Sequence, residues 1–246
     1  MEELEYEVMA SVEDRHFWFV GTRAIVKDAF MAAGIDGGHR VLDIGCGTGG
    51  TMRALDGTAG FVGLDLSPTA AGLARRRTGN PVAMGSATAP PFRDGTFHGV
   101  LALDVFEHIP DDVSAVAEVR RILEPDGVLI ATVPCHPSLF SEHDEALHHV
   151  RRYTRRGFLG LLEDGGFRVD RVTWTNSLLF PAAATFRLLA NAVRRRRTTP
   201  RSNAAMKLGP LNDLLTRIFM AERALIARFD MPFGLGLLVV ARRGRA

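Results

Sequence analysis

Apolar positions recur every three or four residues from Phe19 to Ala33, which predicts a helix closed by Gly34 and then Gly37-Gly38. After it the pattern changes to short continuous apolar runs: Arg40-Val-Leu-Asp-Ile, Phe61-Val-Gly-Leu, Gly99-Val-Leu-Ala-Leu and Gly127-Val-Leu-Ile-Ala-Thr-Val. Such runs are characteristic of strands buried on both faces. Helical stretches separate them at Thr51–Leu55, Thr69–Arg77 and Asp112–Leu123, the last opened by Pro110-Asp111-Asp112 as a capping segment. Alternating strands and helices predict an α/β fold with a doubly wound, mainly parallel sheet and right-handed crossovers.

Past Val133 a loop reaching about Arg152 carries His136, His143, His148 and His149. Thr154–Glu163 then reads as a helix, Phe167–Trp174 alternates like a strand, and Leu237-Leu-Val-Val-Ala-Arg reads as a final strand. Between these strands lie two helical patterns, Phe180–Arg197 and Leu211–Phe229, joined by the polar segment Thr198–Pro210. The chain therefore reads as one domain over 1–246, with an N-terminal helical cover at 1–35 and a helical insertion at 178–232.

Composition narrows the class without changing this outline. Of 246 residues, 46% are hydrophobic and 24% charged, which excludes a disordered or collagen-like chain. A formal charge of +2 is too balanced for a protein that wraps phosphate backbones, and no nucleic-acid partner is expected. Two cysteines, Cys46 and Cys135, exclude a disulfide framework. The acidic, charge-broken N-terminus is unlike a secretory signal, so a cytoplasmic location is expected. The longest apolar stretch, Leu178–Val193, contains Pro181 and Arg187 and falls short of the roughly 20 residues that span a bilayer.

Chemistry concentrates at Val41-Leu-Asp43-Ile-Gly45-Cys-Gly47-Thr-Gly49-Gly50, where a strand gives way to a helix through glycines that let backbone approach a ligand. Gly45, Gly47 and Gly50 satisfy a dinucleotide fingerprint, and Asp65 stands where an acid would hold ribose hydroxyls. Spacing alone does not separate a dinucleotide from another adenosine ligand. Asp43, two residues before the first glycine, disfavours a pyrophosphate and favours a ligand bearing positive charge.

Five segments in order resemble the motifs of class I S-adenosylmethionine-dependent methyltransferases, especially the ubiquinone-biosynthesis-like and small-molecule type. They are Val41–Gly49, Gly63–Pro68, Gly85-Ser-Ala through Pro91 to Phe97, Asp104-Val-Phe-Glu107-His108-Ile-Pro-Asp111, and Leu123-Glu-Pro125-Asp-Gly127. The resemblance covers about Arg40 to Pro134. It implies a seven-stranded Rossmann-like sheet, S-adenosylmethionine as cofactor, and cofactor contacts by Asp43, Gly45, Gly47, Asp65, Leu66, Ser86, Ala87 and Asp104. Three positions depart from the family pattern: Ser86 replaces an Asp expected at the adenine amino group, His98 replaces an Asp, and Asp126 replaces the first of two glycines.

The reaction such proteins carry out moves a methyl group in line from a sulfonium, and the protein holds the partners in line. A proton acceptor near neutral pKa suits an oxygen, nitrogen or carbon acceptor. His149 is the first candidate, followed by Tyr153 and His108, all in loops after the fourth and fifth strands, where doubly wound folds bind ligands. His143, His148 and Arg152, with Phe17 and Trp18 of the aromatic stretch His16–Phe19, are the candidate acceptor-pocket residues. No metal is expected, because the histidine-rich loop lacks a firm ligand spacing.

The insertion is apolar and basic at once, with Arg194–Arg197 following Leu178–Val193. It has three readings: a hairpin at the inner membrane surface beside anionic headgroups, a homodimer interface, or a lid over an apolar acceptor. Each points to a small acceptor that is apolar or lipid-linked. Two other functions compete at this stage, a nicotinamide-dependent oxidoreductase and a catalytically silent cofactor-binding protein.

Overall fold

The central strands are the glycine-ended apolar runs, because only a position covered by helices on both sides accommodates side chains that are apolar on both faces. The computed structural model describes residues 3–192 and 209–244. Arg194–Arg197 and most of the polar joining segment lie outside the described residues. In chain order the strands are β1 (Arg40–Ile44), β2 (Gly60–Asp65), β3 (Val82–Met84), β4 (Phe97–Leu103), β5 (Leu123–Pro134), β6 (Phe167–Thr175) and β7 (Gly236–Arg243). They form one sheet in the order β3-β2-β1-β4-β5-β7-β6. The first five run parallel, and β7 lies antiparallel between β5 and β6. This matches the expected seven-stranded, mainly parallel α/β sheet.

The helices are α1 (Glu3–Val12), α2 (Phe17–Ala32), α3 (Gly50–Ala54), α4 (Pro68–Thr78), α5 (Asp112–Ile122), α6 (Glu142–Ala146), α7 (Arg155–Asp164), α8 (Phe180–Ala192) and α9 (Pro210–Ile226). Neighbouring residues on each inner strand feed opposite faces. Leu42, Val100, Leu129 and Ala131 join α5 and α7 in one core, through Val116, Val119, Phe158 and Leu162. Val41, Leu101, Val128 and Ile130 join α2 and α9 in the other, through Val26, Phe30, Phe219 and Ile226. No helix among the described residues is long and apolar enough to cross a membrane.

Two differences from the sequence expectation have local causes. The three-residue β3 is too short to show a period. Strand β5 begins at Leu123, earlier than its apolar run, because Asp126 takes a left-handed φ of +62° and lets the chain turn within the strand. An Asp tolerates that conformation better than most residues, so it serves at a position where the resembled family has glycine.

The insertion packs onto the body of the fold through α9 against α2. Gly21 of α2 faces Phe219 so closely that a Cβ there would overlap the aromatic ring. Arg223 reinforces the seam with two bonds to Asp28, at 2.6 and 2.8 Å. Gly21→Ala is therefore expected to destabilise the fold by about 1–3 kcal/mol through overpacking. In a Phe219→Leu background most of that cost should disappear, a non-additivity that urea unfolding of the four variants measures directly.

Candidate functional site

The sheet order reverses between β1 and β4, and the loops leaving these strands diverge to opposite sides, which opens a crevice at their carboxyl ends. On the β1 side the chain turns through Gly45 and Gly47, with φ of +65° and +52°. The amides of Gly45 and Cys46 donate to the Leu64 carbonyl at 2.8 and 3.1 Å, fixing the turn to the end of β2. A Cβ on Gly45 would stand 2.7 Å from Val105 Cγ2, so the turn abuts the loop that follows β4.

Asp65 ends β2 and is 8% exposed. Its carboxylate accepts from the Gly47 amide at 2.9 Å and from the Ser67 amide at 2.9 Å, one bond to each oxygen. A carboxylate has about four lone-pair sites, so each oxygen keeps capacity for a hydroxyl donor. Asp43 is 3% exposed, and its Oδ2 has no hydrogen-bond partner among the described residues. Burial, and next the charge of Asp65, push its pKa up to about 7, with Arg23 opposing the rise. A buried acceptor left unmatched is costly, so this oxygen calls for a cationic or donor group. The ammonium of S-adenosylmethionine and the diol of its ribose fit the two acids.

Helix α1 crosses this turn. Glu13, 3% exposed, accepts from Thr48 Oγ1 and Arg23 Nη2, each at 2.5 Å, and pairs with Arg77. Asp14 pairs with Arg53 at 2.9 Å and Arg77 at 3.2 Å. The Met9 methyl lies 3.2 Å from where a Cβ on Gly47 would stand. The N-terminal segment thus covers the glycine turn through Met9 and Glu13. Phe17 and Trp18, the candidate acceptor-pocket residues of this segment, pack on Phe219, with ring centroids 5.7 and 5.8 Å apart. Leu66 is 71% exposed beside Asp65. Ser86 Oγ accepts from the Thr88 amide at 3.1 Å, closing its own loop, and Ala87 packs on the core.

On the β4 side Asp104 takes a φ of +53°, donates its amide to the Thr132 carbonyl at 3.0 Å, and accepts from Thr132 Oγ1 at 3.1 Å. One short turn later Glu107 is fully buried, and neither carboxylate oxygen has a hydrogen-bond partner among the described residues. Burial, followed by the charge of Asp104, raises its pKa well above the ordinary value. His149 brings Nε2 to 4.0 Å from Glu107 Oε1 and places Nδ1 3.0 Å from Asp144 Oδ1. His108, exposed, meets the His149 ring edge-on at 4.7 Å.

Asp144 organises this side. It closes a capping box with Ser141 and accepts from Arg152 Nε at 2.7 Å and from Arg187 Nη1 at 3.3 Å. Burial alone would raise its pKa, but the bond from His149 and the charge of Arg152 hold it below the usual range. Arg152 also donates to the Cys135 carbonyl at 3.1 Å, so it belongs to the scaffold of the loop and is not free to meet an acceptor. Tyr153 does not serve as a base here either. Its hydroxyl donates to Asp112 at 2.6 Å, and burial, then that bond, raise its pKa. His143 lies near the cluster, its pKa lowered to about 4 by burial and then by Arg187, whereas His148 is exposed.

Thus Asp43, Gly45, Gly47 and Asp65 come together on one side of the crevice, and Asp104, His108 and His149 on the other. Sequence reasoning missed Glu107, Asp144 and Glu13 as site residues. The spacing Ser141-x-x-Asp144 carried a capping signal for Asp144. Glu13 had no local signal, since its partners lie in three other segments.

Residues 42–131 match the methyltransferase-domain family. The chain is 34% identical over 128 residues to 24-methylenesterol C-methyltransferase 2 of Oryza sativa subsp. japonica, covering 47% of this chain and 35% of that protein. It is 34% identical over 122 residues to the chloroplastic tocopherol O-methyltransferase of Arabidopsis thaliana, covering 44% and 33%. The chain spans about a third to a half of the length of the curated relatives it matches. In fold it is similar to a Haloferax volcanii chain solved in complex with the Trm112 methyltransferase activator, with a TM-score of 0.65, 23% identity and coverage of 99% and 97%. The matched segment holds both strand ends that form the crevice, and its acids suit a sulfonium cofactor better than a dinucleotide; over residues 42–131 the chain is similar to the S-adenosylmethionine-dependent methyltransferases.

Proposed function

We propose that this protein transfers the methyl group of S-adenosylmethionine to a small apolar or lipid-linked acceptor. The observation that carries this reading is the contact of Gly45 with Val105, which sets the glycine turn and its two acids directly against the loop of Asp104, Glu107 and His108. The cofactor is held on the β1 and β2 side, with its ammonium toward Asp43 and its ribose toward Asp65. The acceptor meets the β4 and β5 side, where Asp144 orients His149. The transferred methyl leaves a positive sulfur, which becomes a neutral thioether, and the protein supplies alignment.

Support for an apolar acceptor comes from the insertion. Arg187 of α8 reaches Asp144, so the helix is tied beside the acceptor side, while Leu178, Phe186 and Leu188 remain exposed. That combination favours a lid with an apolar outer face suited to a hydrophobic molecule or to the inner membrane surface. The sterol and tocopherol methyltransferases among the relatives are named for acceptors of this chemistry.

Calorimetric titration with S-adenosylmethionine and with NAD tests the reading: the first is expected to bind and the second not, and binding of NAD alone would overturn it. Asp65→Ala should weaken S-adenosylmethionine binding roughly a hundredfold or more, since two charge-assisted bonds to the ribose are lost at about 1.5–3 kcal/mol each. Unchanged affinity would remove Asp65 from the ribose site.

A pH dependence follows from Asp43. In the free protein its carboxyl titrates near 7, under the influence of Asp65, Arg23 and Glu13. A bound ammonium favours the ionised form and lowers that pKa, so binding releases a proton. Affinity should be full above about pH 7 and fall below it, by up to about tenfold per pH unit. Asp43→Asn should bind weakly at every pH with this slope gone, as titrations between pH 5.5 and 8.5 would reveal.

A further inference from the structure

An imidazole and a buried carboxyl group face each other at the β4 side of the crevice, 4.0 Å apart. His149 Nδ1 lies 3.0 Å from Asp144 Oδ1, which leaves Nε2 as the ring nitrogen free to meet a further partner. What Nε2 faces, at 4.0 Å, is the carboxylate of Glu107, fully buried and unpartnered among the described residues. His108 adds a second imidazole from the adjacent residue. One ligand atom from each of Glu107, His108 and His149 can be chosen so that all lie within 4.8 Å of one another. Such a juxtaposition of a buried carboxyl group and two imidazoles holds either a proton or a shared cation.

We propose that Glu107, His108 and His149 ligate one divalent transition-metal ion. Bonds of about 2.0–2.2 Å from imidazole nitrogen and carboxylate oxygen place ligand atoms roughly 3–3.5 Å apart, so small side-chain rotations close the observed cluster around an ion. Two imidazoles and one carboxylate suit a first-row ion such as zinc, manganese or iron(II) better than magnesium or calcium, and they leave coordination positions open. The Asp144–His149 bond is the carboxylate–histidine support that orients such ligands, and Arg152, Ser141 and Arg187 in turn hold Asp144. The backbone adds rigidity: the Val150 amide donates to the Glu107 carbonyl at 2.8 Å, tying the two ligand loops together.

The role of the ion rests on the methyl-transfer reading; its binding does not. A hydroxyl oxygen of the acceptor, coordinated at an open position, releases its proton to water and is held as an oxyanion. Its lone pair then forms the new oxygen–carbon bond as the carbon–sulfur bond breaks and the electron pair remains on sulfur. His149 is on this assignment a ligand, and the ion replaces a protein base.

The test uses the full chain, stripped with chelator and titrated with cobalt(II) alone, followed by visible absorption, and with zinc(II) alone by calorimetry. One equivalent is expected to bind, with the absorption of a nitrogen- and oxygen-ligated ion. His108→Ala, at an exposed side chain, should weaken binding at least tenfold while leaving the melting temperature of the metal-free chain unchanged. Glu107→Gln should weaken it by a similar factor. Failure of both ions to bind at millimolar concentration would overturn the proposal, and so would equal affinity in the wild type and both variants. S-adenosylmethionine binding to the metal-free chain is measured separately: its loss alone refutes the proposed function and leaves the metal site standing, while loss of cobalt and zinc binding alone does the reverse.

Discussion

Buried negative charge is the constraint on which this structure turns. Carboxylates taken out of water must be met by cations or by hydrogen-bond donors, or else bind a proton. The crevice at the carboxyl ends of β1, β2 and β4 gathers Asp43, Asp65 and Glu107, all buried. Where the chain supplies partners, the acid is part of the frame. Asp144 has His149, Arg152, Arg187 and the Ser141 amide, and Glu13 has Thr48 and two arginines. Where it withholds them among the described residues, at one oxygen of Asp43 and at both oxygens of Glu107, burial raises the pKa of the acid.

That contrast separates scaffold from site better than residue type does. Tyr153 and Arg152 look reactive by chemistry, yet each is fully engaged with a neighbour, Asp112 in one case and Asp144 with the Cys135 carbonyl in the other. Their engagement is what holds the loop carrying His149 against the loop carrying Glu107. Arg187 extends the same frame into α8, so the apolar insertion and the polar cluster are mechanically joined. The Glu13 network does the equivalent for the glycine turn, joining α1 to α2 through Arg23, to α3 through Arg53 and to α4 through Arg77 by way of adjacent acids.

The N-terminal aromatic stretch illustrates how a pattern is legible while its destination is not. Phe17 and Trp18 stood out as an aromatic pair suited to an acceptor pocket; they are partly buried, and their partner is Phe219, some two hundred positions away in the chain. Gly21 permits that approach, and nothing near it in sequence reveals the ring it faces. Helix α8 poses the same problem in reverse, since its apolar pattern was evident but its anchoring through Arg187 was not.

From sequence alone came the alternating elements, the central parallel strands, the glycine turn with Asp43 before it and Asp65 after it, and the loops in which His108 and His149 lie. These are local properties: periodicity, turn chemistry and spacing along one segment determine them. Only the tertiary structure decided which acids lack partners, which histidine nitrogen faces Glu107, and that Met9 and Glu13 cover the turn while Phe17 and Trp18 pack on Phe219. Those outcomes depend on distances between segments far apart in the chain, and solvation and charge pairing are set by such distances after folding, whatever the identity of neighbours in sequence.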